Sequence, residues 1–138
     1  MVTLSPRKRA NALIEAERTR QIEIEGWSID HDDQHTDGSI FKAALAYFRF
    51  DPRLHNPNVP SAGWPSSWSN DWWKPRTRRE NLIRAGALCL AEIERLRRLR
   101  GRRLRLRTGH RVQVGHVEAK LSAITEALIA LEESNVAA

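Results

Sequence analysis

A single cysteine, Cys89, leaves no possibility of an intrachain disulfide framework. Its place on an apolar helical stripe reads as a small buried thiol rather than a nucleophile. No apolar run approaches the roughly 20 residues of a membrane span, so no membrane association is expected. The first ten residues are polar and basic, without the apolar stretch of a secretory signal. The expected location is therefore the cytoplasm. Neither a Gly-rich phosphate loop nor a Ser–His–Asp spacing is present, which weakens the commonest hydrolase readings. No catalytic residue and no cofactor is assigned.

What is present is unevenly distributed. The chain has 138 residues, 41% of them hydrophobic, enough for one domain with a modest core. Nine of its 23 basic residues fall within 95–111, a segment with no acid. The remainder, 14 basic against 17 acidic residues, is mildly acidic. A concentrated basic segment suits an anionic partner, either nucleic acid or an acidic protein surface, and equally suits a solvated basic face. Arg98, Arg100, Arg102, Arg103, Arg105, Arg107 and Arg111 are its candidate anion-binding residues.

The chain is organised around 64–94, WPSSWSNDWWKPRTRRENLIRAGALCLAEIE. Thr77 and Glu80 have capping-box spacing, and Pro75 lies upstream where it interrupts nothing. Leu82, Gly86, Cys89, Leu90, Ile93 and Leu96 then repeat at three and four residues, a core-facing stripe. Gly86 costs about 1 kcal/mol in a helix interior. Its expected return is close approach of another backbone, from the aromatic loop or the first helix.

Upstream, Ser5-Pro6 starts a helix that should run to about Glu25 and stop at Gly26. Its inner face carries Ala10, Leu13, Ile14, Glu17, Gln21 and Ile24. The polar Glu17 and Gln21 either rotate outward or share a polar pocket with Arg18 or Arg20. Residues 28–39 concentrate Asp30, His31, Asp32, Asp33, His35 and Asp37. These are metal-ligand types, but the acids lie too close in sequence for all to face one ion, so no metal site is assigned. Local capping and turn formation is their expected role. Thr36 or Asp37 should cap a second helix over about 38–50, with Ile40, Ala43, Ala44 and Tyr47 as its stripe.

Residues 51–76 form a long connection holding five of the six prolines and four of the five tryptophans. A connection of that length in a compact domain is often functional. Most of Trp64, Trp68, Trp72 and Trp73 should seal the core, with one or two lining a stacking pocket. Downstream, Leu104 and Leu106 alternate with Arg, as do Val112 and Val114, a parity that favours a basic β-hairpin. The competing reading continues the helix through Gly101, with Leu96, Leu99, Arg103 and Leu106 in register. The last helix, about 117–134, repeats Val117, Leu121, Ile124, Leu128 and Leu131 as a heptad seam. That seam could pack on its own domain or make a homo-oligomer.

The fold class is therefore mainly α: about four helices, a long Trp/Pro-rich loop and a small basic β-hairpin before the C-terminal helix. Residues 1–96 form the helical core with the loop, and 97–138 an extension of the same domain.

The blocks ERTRQIEIEGW, HDDQHTDG, the Ala-rich helix ending AYF, WP before DWWKP, and RRENLIRAGALCLAEIERL together resemble a family of small phage and prophage proteins. The resemblance covers about 80 residues, Glu17 to Leu96, and implies a phage setting in the host cytoplasm. The first helix with Arg18 and Gln21, the break at Glu25-Gly26-Trp27 and the Arg-bearing helix after a long loop also resemble the ryanodine-receptor repeat domain. The His-Pro-hydrophobic-Pro-Tyr segment of that domain is missing, and Arg78-Arg79 replaces its Asp-Arg pair. That second resemblance implies binding of a nucleotide signal.

Three functions follow as expectations. The first is capture of a nucleotide or nucleotide-derived defence signal, with Trp27, Trp72 and Trp73 stacking the base. Arg20, Lys74, Arg76, Arg78 and Arg79 would hold phosphate at the positive end of the central helix. Glu17 and Gln21 would read polar edges. The second is a module that binds nucleic acid or blocks a host protein through the Arg-rich segment. The third is a metal-dependent phosphohydrolase drawing on HDDQH, Glu17 and Glu92.

Overall fold

The computed structural model describes residues 3–35, 37–101 and 108–137; the side chains of residues 100, 101, 108–112, 136 and 137 lie outside that description. Five helices are described: α1 (Pro6–Glu23), α2 (Ile29–Asp33), α3 (Ser39–Arg49), α4 (Arg78–Gly101) and α5 (Thr108–Ala137). A single 3-10 turn, Asn70–Trp72, interrupts the long connection. The fold is mainly helical, as the periodicities imply, and no strand occurs among the described residues. The hairpin is the correction. Val112 and Val114, its second strand, lie in α5, while 102–107 lie outside the described residues. Period-2 alternation over a few Arg-flanked positions does not outweigh a helix-compatible sequence that can pack on a neighbouring helix.

α4 is the hub and touches each of the other helices. Its capping box forms in part. Thr77 Oγ1 accepts from the Glu80 amide (3.1 Å), while the Glu80 carboxylate takes the Thr77 hydroxyl (3.1 Å) instead of the Thr77 amide. Asn81, fully buried, clamps the chain entering the helix: its Oδ1 accepts from the Arg76 amide (2.7 Å) and its Nδ2 donates to the Arg76 carbonyl (3.0 Å). Leu82, Ala85, Leu88, Cys89, Ile93 and Leu96 are buried, and each large apolar side chain removed from water contributes about 1.5–3 kcal/mol. α1 crosses at Gly86, where a Cβ would stand 2.8 Å from Ile14 Cδ1. The close approach expected at this glycine is thus made by the first helix.

α1 begins as the sequence implies, with Ser5 Oγ accepting from the Lys8 amide and Pro6 in the first turn. Its inner face is Ala10, Ile14, Arg18 and Gln21, whereas Ile24 is exposed. The helix ends short of Ile24, and Gly26 turns the chain in a left-handed conformation (φ 74°) that a side chain would disfavour. The Trp27 amide then donates back to the Gln21 carbonyl (3.0 Å), folding Trp27 against the helix end. The N-cap of α3 is Gly38 rather than Asp37, which instead accepts from the Ser39 amide (3.1 Å) in the preceding turn; Ile40, Ala43, Ala44 and Tyr47 are buried. Thr36, the other cap candidate, lies outside the described residues.

The heptad seam of α5 is used within the chain. Val117, Ile124 and Leu128 are buried in the common core, with Leu121 and Leu131 packed beside them. The self-association reading loses the residues it rested on, because a helix that covers α4 no longer presents that stripe to a second copy. No helix among the described residues is long and apolar enough to cross a membrane.

Candidate functional site

The connection after α3 folds onto Tyr47. The phenol donates to the Trp72 carbonyl (3.3 Å) and accepts from the Lys74 amide (3.1 Å), fixing the backbone on both sides of Trp73. Trp73 then stacks on the Tyr47 ring (centroids 4.7 Å apart, 25°) and meets Phe50 and Trp64 edge-on. Trp68 is buried, edge-on to Trp27, Trp64 and Trp72. This aromatic cluster is the seal expected of the loop. Trp72 is its outermost ring, 46% exposed.

Between the cluster and the end of α1 lies a pocket of about 300 Å³. Trp27, Trp68, Trp72 and Tyr47 give it apolar, partly edge-on walls, and Glu25, His31, Lys74 and Arg84 are its charged and polar groups. Trp27 is parallel to His31 (centroids 6.0 Å, 6°). Arg84 lies over the Tyr47 ring at 5.3 Å, donates to the Lys74 carbonyl at 2.5 Å, and stands 3.9 Å from Glu17 Oε2. The Lys74 ammonium has no hydrogen-bond or ion-pair partner among the described residues. Glu25 is held by Arg20 (2.9 Å), so the wall's acid is already paired. The volume is at the low end for ligand sites, the size of one ring system with one charged group. The pocket's walls present aromatic faces and two positive charges.

Of the residues expected at a ligand site, Trp27, Trp72 and Lys74 line this pocket. Glu17, Arg20 and Gln21 stand behind it. Glu17 accepts from Arg20 Nε (2.6 Å) and from Gln21 Nε2 (3.3 Å), which is the shared polar cluster weighed for these positions. The Glu17 pair drives the Arg20 guanidinium pKa upward against its burial. Gln21 is fully buried and reads no ligand edge. Trp73 is core.

The arginines of the central helix start have partners elsewhere in the fold. Arg78 donates to the carbonyls of Phe48 and Phe50 at the end of α3, and burial lowers its pKa. Arg79 pairs with Glu132 of α5, and Arg76 stands 3.8 Å from Glu80. None of the three lines the pocket. Helix-terminal carbonyls and facing carboxylates are acceptors that a guanidinium satisfies within the fold.

The Arg-rich segment is also partly structural. Arg98 donates to Asp33 (2.8 Å), Arg97 to Glu118 (3.3 Å), and Arg95 to Glu92. Arg102, Arg103, Arg105 and Arg107, with the side chains of Arg100 and Arg111, lie outside the described residues. The acids of residues 28–39 receive the rest of this network: Asp32, buried, accepts from the buried Arg18 at 2.8 Å. The carboxylates a phosphohydrolase would pool are spent apart, Glu17 on Arg20, Asp32 on Arg18, and Glu92 on Arg95. Burial raises the Glu92 pKa despite that partner.

Sequence reasoning missed Arg84, Tyr47, Trp68, His31 and Glu25 as pocket residues. Arg84 had a readable signal: it is the one charge between Asn81 and Ala91. Glu25 and His31 flank the left-handed turn at Gly26, which no periodicity encodes, while Tyr47 and Trp68 belong to the aromatic seal. Comparisons with family models, curated proteins and solved structures find no match to this chain. Fold and site define it as a helical bundle carrying an aromatic pocket with two cations.

Proposed function

We propose that this protein is a binding module for a small, flat, anionic ligand of the nucleotide class, seated between Trp27, Trp72 and the Lys74–Arg84 pair. One observation carries the reading: four aromatic rings and two cations line a single pocket, while its only carboxylate is paired with Arg20. Stacking on an aromatic side chain is worth about 1–3 kcal/mol per base and tolerates any base. Lys74 supplies a point charge for phosphate, and Arg84, anchored by the Lys74 carbonyl and Tyr47, keeps the positive field in place. A cationic ligand, the other common guest of aromatic walls, is disfavoured by the same two charges.

The resemblance to phage proteins supplies the setting: the ligand is a nucleotide-derived signal of host defence, and the module sequesters it. A thermal-shift screen of mono-, di- and cyclic nucleotides tests this. Stabilisation by at least one, lost in Lys74→Ala, is the expected outcome. No shift with any nucleotide, together with DNA or RNA binding that falls steeply with salt, transfers the function to the Arg-rich segment.

A further inference from the structure

We propose that His31 and His35 form a binding site for a borderline divalent cation of the zinc class. Their Nε2 atoms stand 3.4 Å apart. Two nitrogens on one tetrahedral zinc, each about 2.0–2.1 Å from the ion, are about 3.3–3.4 Å apart. His31 lies in α2 and His35 just past its Gln34 C-cap, where the His35 amide donates to the Asp32 carbonyl (3.1 Å) and holds the second ring beside the first. The rings approach through their Nε2 vertices, with centroids 4.7 Å apart and planes at 66°.

The surroundings suit ligation. His31 Nδ1 stands 3.3 Å from Asp32 Oδ1. A carboxylate on the far ring nitrogen holds the proton there and leaves Nε2 bare for a metal. Asp32 is itself fixed by Arg18, so this orientation is built in. Trp27 stacked on His31 and Trp68 against His35 lock the ring positions. The charges bearing on His35 are Asp32, Asp37 and Arg95; the acids favour a cation, and Arg95 is occupied by Glu92.

The sequence argued against a metal because its acids crowd together. The structure removes that objection by assigning the Asp32 and Asp33 carboxylates to arginines and bringing two histidines together. No group of three ligand residues occurs among the described residues, so the ion keeps open positions for water or an added donor. The present Nε2–Nε2 hydrogen bond needs a proton on one nitrogen; the ion needs both bare, so that proton moves to Nδ1. His31 also lines the aromatic pocket, but the histidine geometry does not rest on the nucleotide reading.

The test is calorimetric titration of chelator-treated protein with zinc chloride, paired with cobalt(II) as a spectroscopic probe. One zinc per chain is expected, with binding weakened at least about tenfold in His35→Gln and in His31→Gln, and unchanged in the exposed His116→Gln. Cobalt should broaden the ring signals of His31 and His35 ahead of those of His55 and His116. Because His31→Gln disturbs the Trp27 stack, His35→Gln with an unchanged helical circular dichroism spectrum is the deciding variant. Absence of zinc binding, or binding of undiminished affinity in folded His35→Gln, overturns the proposal.

Discussion

A Cβ at position 86 would stand 2.8 Å from both Cδ1 and Cγ1 of Ile14 and 3.1 Å from its Cγ2. The contact involves both branches of a β-branched side chain that is itself buried, so no end group can swing clear. Gly86→Ala should gain about 1 kcal/mol of helix propensity and lose more to overpacking, which costs about 1–3 kcal/mol. The expected net is a destabilisation of up to about 2 kcal/mol in urea unfolding. Combined with Ile14→Ala, the alanine at 86 should cease to be harmful. Equal effects in both backgrounds would show that the two helices do not meet there.

Asp32 and Arg18 are a buried pair, 2% and 5% exposed. Arg18 also donates to Glu94 (3.1 Å), so Asp32→Ala leaves it one partner, whereas Arg18→Ala strands the buried Asp32 carboxylate, a loss that typically costs about 3–5 kcal/mol. Arg18→Ala should therefore lower stability by that order, measured by denaturant midpoint. Arg98→Ala, breaking a more exposed pair with Asp33, should cost about 1 kcal/mol. A reversal of that order would contradict the network described here.

Asp37 gives a pH signature. The Ser39 side chain, the Ser67 hydroxyl and the Ser39 amide hold its carboxyl down to about 2. A carboxylate depressed in the fold adds stability above its unfolded value and loses it as pH falls through its folded value. Its contribution is thus complete above about pH 4 and gone near pH 2. Since Asp37 is exposed, the effect is small, about 1 kcal/mol or less. Asp37→Ala should be less stable than the parent at about pH 6 and indistinguishable from it near pH 2; a constant difference across that range would refute the assignment.

The elements that repeat at helical spacing were legible: the α4 stripe from Leu82 to Leu96, the α3 face and the Ser5-Pro6 start all lie where the periodicity puts them. Trp27, Trp72 and Lys74, expected together from sequence, do line one pocket. The partners of the arginines were not legible, since sequence shows a charge but not what it meets: Glu132 lies 53 residues from Arg79. Arg84 and Tyr47 escaped because a helix stripe conceals which of its flanking residues face a loop. The hairpin and the heptad seam share one cause, a local pattern that fits two structures until the neighbouring helix decides.

The central claim is that a nucleotide sits on Trp72 and Lys74 rather than on the helix-start arginines. Isothermal titration of the nucleotide giving the largest thermal shift, into the parent protein and into Trp72→Ala, Lys74→Ala and Arg79→Ala, tests it most directly. Trp72→Ala should cost about 1–3 kcal/mol of binding and Lys74→Ala about 1.5–3 kcal/mol, the scale of a charged hydrogen bond. Arg79→Ala should leave affinity unchanged while lowering stability through the lost Glu132 pair. Affinity that survives both pocket substitutions, or that collapses in Arg79→Ala, would contradict the account.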